Sequence, residues 1–308
     1  MKFGVREIAN VVFRAKSAVK IGKTTFQPGQ PVLYIDSAKT STLEGAATTV
    51  YAQGGRGNTR LIAWEGEKTL TFTVEDALLS PMGLSILSGA GLLAAEDEAD
   101  GVHVHVTTAA YVDANGEVDL TDILGEEETV CETAPLFVMG VEADGSLTGE
   151  IYTATVEGKK LTDIKNAAKE AVTSTSIMVD FYTIKKKMVS ELQIDAENFA
   201  GYYYVEADTL FRRQDNGVDM PANITLPNVK IQSNFTFSMA STGDPSTFTF
   251  TMDAMPGYTY FNKEKKVLCV IQVIEDGSGR SGSSLGGSVM AHHAGETLEE
   301  AVNDSFGA

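Results

Sequence analysis

The chain has 308 residues, 43% hydrophobic and 21% charged, with a formal net charge of −18. That length can bury a sizeable core in one large all-β domain or two smaller ones, and the acidic balance argues against a surface that grips nucleic acid, because phosphates need lysine and arginine opposite them. The two cysteines, Cys131 and Cys269, are too few for a disulfide framework and read as free thiols of a reducing compartment; no apolar run is long enough for a signal peptide or a membrane span.

Taken in chain order, the dominant signal is alternation with a period of two. Residues 31–36 read as a strand, as do 69–74, with Leu70, Phe72 and Val74 inward. Between them, 37–66 is rich in Ser, Thr, Ala and Gly and contains Gln53-Gly-Gly-Arg-Gly-Asn58. It reads as a long pliable loop, of the kind that is functional or folds against a partner. Ser80-Pro81 supplies an N-cap and a first-turn proline for a short apolar helix that ends at glycine. Leu161, Ile164, Ala168 and Val172 suggest a second helix over 161–172, and 190–199 a short third.

Further strands are expected at 102–107, 136–141, 150–156, 176–184, 202–211 and 266–274. The clearest segment, 226–256, has two alternating arms around Ser-Thr-Gly-Asp-Pro (241–245). Ile231, Phe235, Phe237 and Met239 line one face of the first arm, and Phe248, Phe250 and Met252 one face of the second. Beyond 276, Gly-Ser-Gly-Arg-Ser-Gly-Ser-Ser-Leu-Gly-Gly-Ser has the composition of a flexible linker, and a weak helical stretch follows around 295–302. The expected class is mainly β. Residues 1–92 and 200–275 would form a β-sandwich or barrel-like core with one or two short flanking helices. Residues 93–199 would form an inserted α+β lobe, and 276–308 a flexible C-terminal arm.

The sequence offers little for chemistry. His103 and His105 share a strand face at the i, i+2 spacing that metal ligands can use, but no third ligand is evident nearby. Gly54 to Asn58 lacks the spacing of a phosphate loop. Acidic neighbours of Cys131 are expected to raise its thiol pKa. Lys185-Lys-Lys187 and Glu126-Glu-Glu128 read as solvated charge runs, and Tyr202-Tyr-Tyr204 could serve either as a stacking platform or as strand packing. No catalytic residue, cofactor site or metal site is assigned.

Four segments, taken together, resemble a bacteriophage tail tube (major tail) protein. They are the early strand pair around 37–66, Arg60-Leu-Ile-Ala-Trp-Glu-Gly-Glu-Lys-Thr-Leu-Thr-Phe-Thr-Val74, the helix opened by Asp76-Ala-Leu-Leu-Ser-Pro-Met-Gly83, and the two arms within 226–256. The resemblance covers about 1–92 and 200–275. It implies a non-enzymatic virion protein, made and assembled in the host cytoplasm. Copies would form rings of six that stack into a tube conducting DNA out of the capsid. The long loop would reach into the next ring, which makes Ser37, Thr42, Gly54, Arg56, Asn58 and Trp64 stacking candidates. The acidic residues Glu96, Asp97, Glu98, Glu126, Glu127 and Glu128 would face the lumen or the outer surface, where negative charge keeps DNA sliding. The partners that the resemblance implies are other copies of the chain and the sheath, tape-measure and baseplate proteins, with DNA passing without being bound and no membrane involved. Another virion β-protein (baseplate, tail terminator or capsid decoration) and a carbohydrate-binding β-sandwich stand as alternatives.

Overall fold

The computed structural model describes residues 2–5, 7–94, 101–236, 239, 241 and 247–275. The chain divides into two compact units, Met1–Ala90 with the segment from Ile194 onward, and Gly91–Gln193.

The first unit begins with β1 (Phe3–Val5), β2 (Asn10–Ala15), β3 (Val19–Ile21), β4 (Thr24–Phe26), β5 (Pro31–Ile35), β6 (Ala38–Gly54), β7 (Thr59–Asp76) and α1 (Pro81–Ser88). The second unit contains β8 (Gly91–Ala94), β9 (Val102–Val112), β10 (Val118–Asp119), β11 (Phe137–Val141), β12 (Leu147–Glu157), β13 (Lys160–Lys165), β14 (Thr175–Lys185) and β15 (Ser190–Gln193). The first unit resumes with β16 (Tyr202–Arg213), β17 (Asp219–Ile231), β18 (Phe248–Ala254) and β19 (Val270–Val273). The mainly-β class expected from the alternation is what the chain forms.

In the first unit one antiparallel sheet runs β5-β2-β16-β17-β18-β7-β6, with β1 added on β16 and β19 on β17. Alternation places one face of each strand inside. Val11, Phe13 and Ala15 of β2 are buried, as are Phe72 and Val74 of β7 and Phe250 and Met252 of β18. Phe13 packs edge-on to Tyr203 (6.1 Å between centroids) and tilted against Phe250 (5.8 Å), geometries that aromatic pairs prefer. The helix lies over this core. Its N-cap Ser80 accepts from the Gly83 N–H (2.9 Å), and the chain leaves it through Gly89 at φ +77°. A side chain at Gly89 would stand 2.4 Å from the Phe199 carbonyl carbon, so both backbone conformation and space require glycine there.

The second unit is a six-stranded sheet, β10-β13-β12-β11-β14-β9, with its own core of Val138, Leu161, Ile164, Ile177, Val179 and Phe181 among others. The small pair β8 and β15 stands at its joints, with Gly91 opposite Gln193.

Five expectations are corrected. The segment 161–172 is strand and turn: Asp163 takes φ +52°, which offsets the alternation so that Leu161 and Ile164, three apart, both face the core. That spacing mimics a helical one. Residues 190–193 form β15, followed by a turn in which Asp195 accepts from the Glu197 and Asn198 N–H groups. The second unit is therefore β rather than α+β among the described residues. The 226–256 hairpin pairs as strand only at Val229↔Ala254, Lys230↔Asp253 and Ile231↔Met252, since β17 ends at Ile231, while β18 is joined along its other edge to β7 at six positions; Phe237 and 242–246 lie outside the described residues. Finally, 37–66 is no pliable loop but most of the long hairpin β6–β7.

Candidate functional site

The feature that nothing in the fold of the single chain explains is the outer part of the β6–β7 hairpin. At its root the hairpin is ordinary sheet. Thr71 to Asp253, six positions in all, bond β7 to β18, and the Ser37 hydroxyl donates to the buried Asp76 carboxylate. From Leu70 outward to Thr59, β7 pairs only with β6, and the far edge of β6 is unpaired along its whole length among the described residues. The arm thus carries open backbone hydrogen-bonding groups on both edges, a template for pairing with another chain.

Its side chains repeat the message. Val50 lies opposite Trp64, and Ala52 opposite Ile62, on one face; Tyr51 lies opposite Ala63 on the other. Val50, Leu61, Ile62 and Trp64 are each more than half exposed. Apolar side chains on both faces of a two-stranded ribbon have nothing of their own chain to pack on. The tip is rigidly turned: Gly55 and Gly57 take positive φ, Asn58 takes φ +48°, and the Asn58 N–H donates to the Gly55 carbonyl (3.2 Å). Arg60 lies over the Tyr51 ring at 4.1 Å. Three register shifts along β6–β7, at Ala38/Thr40, Ala47/Thr49 and Ala52/Gln53, twist and bend the ribbon.

Of the stacking candidates, Gly54, Arg56, Asn58 and Trp64 lie on this outer arm. Ser37 and Thr42 lie at its base, Ser37 as an anchor on Asp76 and Thr42 paired with Thr73 inside the sheet. Sequence reasoning missed Val50, Tyr51, Leu61 and Ile62. The signal was present as Thr-Thr-Val-Tyr-Ala and Arg-Leu-Ile-Ala-Trp flanking Gly-Gly-Arg-Gly-Asn, which is hairpin grammar.

The remaining candidates sit elsewhere. Glu127 and Glu128 pair with Lys187 (3.3 Å) and Lys185 (3.1 Å), so the acidic and basic runs neutralise one another; Glu126 is exposed, and Glu96, Asp97 and Glu98 lie outside the described residues. His103 and His105 do share the exposed face of β9. His105 Nε2 lies 3.0 Å from Asp180 Oδ2, to which Thr107 also donates (2.9 Å). These two hydrogen bonds, His105 first, hold the Asp180 carboxyl below its usual range. His103 lines a shallow cleft of about 460 Å³ with Glu127, Thr129, Thr133, Ile184 and Lys186. No group of three or more His, Cys, Asp or Glu side chains among the described residues could hold a metal. The Cys131 thiol is lowered, against expectation: its hydrogen bond with the Thr133 hydroxyl (3.3 Å) outweighs burial and Glu132. Burial pushes the Cys269 thiol up to about 11. Tyr203 and Tyr204 are buried, leaving Tyr202 alone half-exposed, which removes the platform reading of that triplet.

Comparison with curated proteins gives no match. The sequence profile of the YomU/Tube protein family matches residues 16–266, a span that covers more than three quarters of the chain and runs through both compact units.

Proposed function

The chain belongs to the YomU/Tube protein family, and on that premise we propose that it is the tail tube (major tail) subunit of a bacteriophage. Six copies close into a ring, and the rings stack into the conduit through which DNA leaves the capsid. The subunit is structural, catalyses nothing and holds no cofactor. It acts in the virion after assembly in the host cytoplasm, in contact with other copies of itself and with the sheath, tape-measure and baseplate proteins of the tail.

The observation that carries this reading is the β6–β7 arm, apolar on both faces and unpaired on both edges. Seated in a neighbouring ring, it would gain two sets of ladder hydrogen bonds and bury Val50, Leu61, Ile62 and Trp64. Ring closure has a matching rationale. The nine-stranded sheet ends at β5 on one side and β6 on the other, and a closed ring removes both edges, which otherwise invite uncontrolled pairing. The net charge of −18 suits a channel wall past which phosphates must slide.

The test is to replace residues 49–66 by an Asn-Gly turn joining Thr48 to Glu67, a linkage that type I′ geometry supports. Negative-stain electron microscopy of the purified wild-type protein is expected to show hollow tubes with a regular axial repeat, and the shortened variant only rings or monomers that keep a cooperative unfolding transition. Tubes from the shortened variant would overturn the role given to the arm. Isolated rings from the wild type at every concentration would mean a tail terminator or baseplate ring instead.

A further inference from the structure

One edge of the second unit is unguarded. β9 closes the six-stranded sheet on one side and meets β14 in eleven consecutive pairs, from Val102↔Lys185 to Val112↔Thr175, with no register shift. Its other edge has no strand partner among the described residues. The Asp113 N–H donates to the Glu117 carbonyl (2.9 Å), which turns the chain back so that β10 lies near the end of β9. The open stretch is therefore Val102–Ala110.

Soluble proteins blunt such edges with charges, proline, bulges or short length. The opposite edge of this sheet obeys that rule: β10 is two residues long, and β13 behind it carries Lys160, Asp163 and Lys165. Val102–Ala110 has none of these devices. It reads Val-His-Val-His-Val-Thr-Thr-Ala-Ala, without Lys, Arg, Asp, Glu, Pro or Gly, in a chain whose net charge is −18. On its core side Val106 and Ala110 are only partly buried, while Ile177, Val179 and Phe181 of the adjoining β14 are fully buried. The core is left ajar along this strand.

We propose that Val102–Ala110 pairs antiparallel with the same segment of a second copy, across a two-fold axis at Val106, the axis that pairs the whole open stretch. On the core side Val106 then meets its own counterpart, Val104 meets Thr108 and Val102 meets Ala110. On the outer side His105 meets Thr107 and His103 meets Ala109. Each core-side pair is apolar or methyl-bearing, and no like charges are opposed. The ladder would form about nine hydrogen bonds, within the range of a specific interface. Two copies at −18 each repel wherever their carboxylates meet, and this strip lets them meet without opposing any. The segment also matches itself in a defined register, which an unrelated strand has no reason to do. The inference rests on the second unit alone. Two-fold pairing is isologous, whereas a ring of six closes through heterologous contacts, so this interface is separate from the tube reading.

Cysteine coupling on the full chain tests it. Val106→Cys places two thiols directly opposite, with Cα atoms about 4.5–5.5 Å apart, inside disulfide reach. Thr108→Cys, on the same face of the same strand, leaves its two copies about 14 Å apart. Under mild oxidation Val106→Cys is expected to give a disulfide-linked dimer on denaturing, non-reducing gels, about tenfold above Thr108→Cys and above the wild type with its free Cys131 and Cys269. Amide exchange in the wild-type β9 peptide should slow as protein concentration rises. Thr108→Lys leaves its charge in water at the open edge, but pairing would bury it against Val104 of the second copy; this variant should keep a cooperative unfolding transition and lose the concentration dependence. Equal coupling from both cysteine variants, or from neither, would overturn the proposal, as would β9 exchange that ignores concentration. So would protection of β9 without Val106→Cys coupling, because another strand would then be the occupant. A Val106→Cys dimer in a preparation that forms no tubes would count against the tube reading and leave this pairing standing; tubes without the dimer would do the reverse.

Discussion

Val50 sits opposite Trp64 on the β6–β7 arm, and both side chains stay more than half exposed, at 61% and 52%. Trp64 is the only tryptophan in the sequence, so the arm carries its own reporter. If the arm is buried on assembly, tryptophan emission shifts to the blue and iodide quenching falls as tubes form. Trp64→Asp should abolish assembly while changing the stability of the monomer by no more than about 0.5 kcal/mol, as exposed substitutions do. A Trp64 that remains fully quenchable in tubes would remove the arm from the interface.

Tyr203 makes the first unit sensitive to alkali. Burial against Phe13 pushes its phenol up to about 12, against about 10 for a free tyrosine. A raised folded value means that the neutral form is favoured in the folded state. The contribution is complete below pH 10 and is lost as pH rises through 12, a difference on the order of 2–3 kcal/mol. Tyr203→Phe should flatten this part of the stability profile, measured as urea midpoints between pH 9 and 12. An identical alkaline slope in the variant would place the sensitivity elsewhere.

Asp180 gives the second unit the opposite dependence. Its carboxyl is depressed by the hydrogen bonds from His105 and Thr107. Its contribution is therefore present above the ordinary carboxylate value near 3.9 and is lost as pH falls through the lower folded value. The stability difference between wild type and Asp180→Asn, measured at neutral pH, should narrow in acid and close below the folded value. A gap constant down to pH 2 would contradict this.

Phe181 is fully buried in the core of the second unit. Phe181→Ala should cost that unit about 3–5 kcal/mol. Hydrogen exchange read by mass spectrometry should show faster exchange in β9, β11 and β14 with β2, β16 and β17 unchanged, as expected of separate cores. Equal acceleration in both units would mean that they unfold together.

The sequence spoke most plainly where one local rule acted alone. Ser80-Pro81 and Gly89 bracket the helix as their caps require, and Phe72, Val74, Phe250 and Met252 fall inward by alternation. It misled where backbone geometry changed the rule: Asp163 in the left-handed region converts a strand's period of two into a spacing of three between Leu161 and Ile164. The arm was misread for a different reason. Hairpin signals at Val50–Ala52 and Leu61–Trp64 were present, but neither strand has a solvent face and a core face. A pattern scored by burial within one chain misses a ribbon that its own chain leaves uncovered.

The antiparallel pairing of Gly91 with Gln193 has a practical consequence. The chain departs from the first unit and comes back to it at neighbouring points, so the hundred residues between occupy, topologically, the place of a turn. Any compact body whose two termini adjoin could be spliced in at the same joint without rethreading the sheet. In a filament built from repeated subunits such a graft would be presented once per copy at fixed intervals, which makes this joint the natural place to mount a foreign cargo.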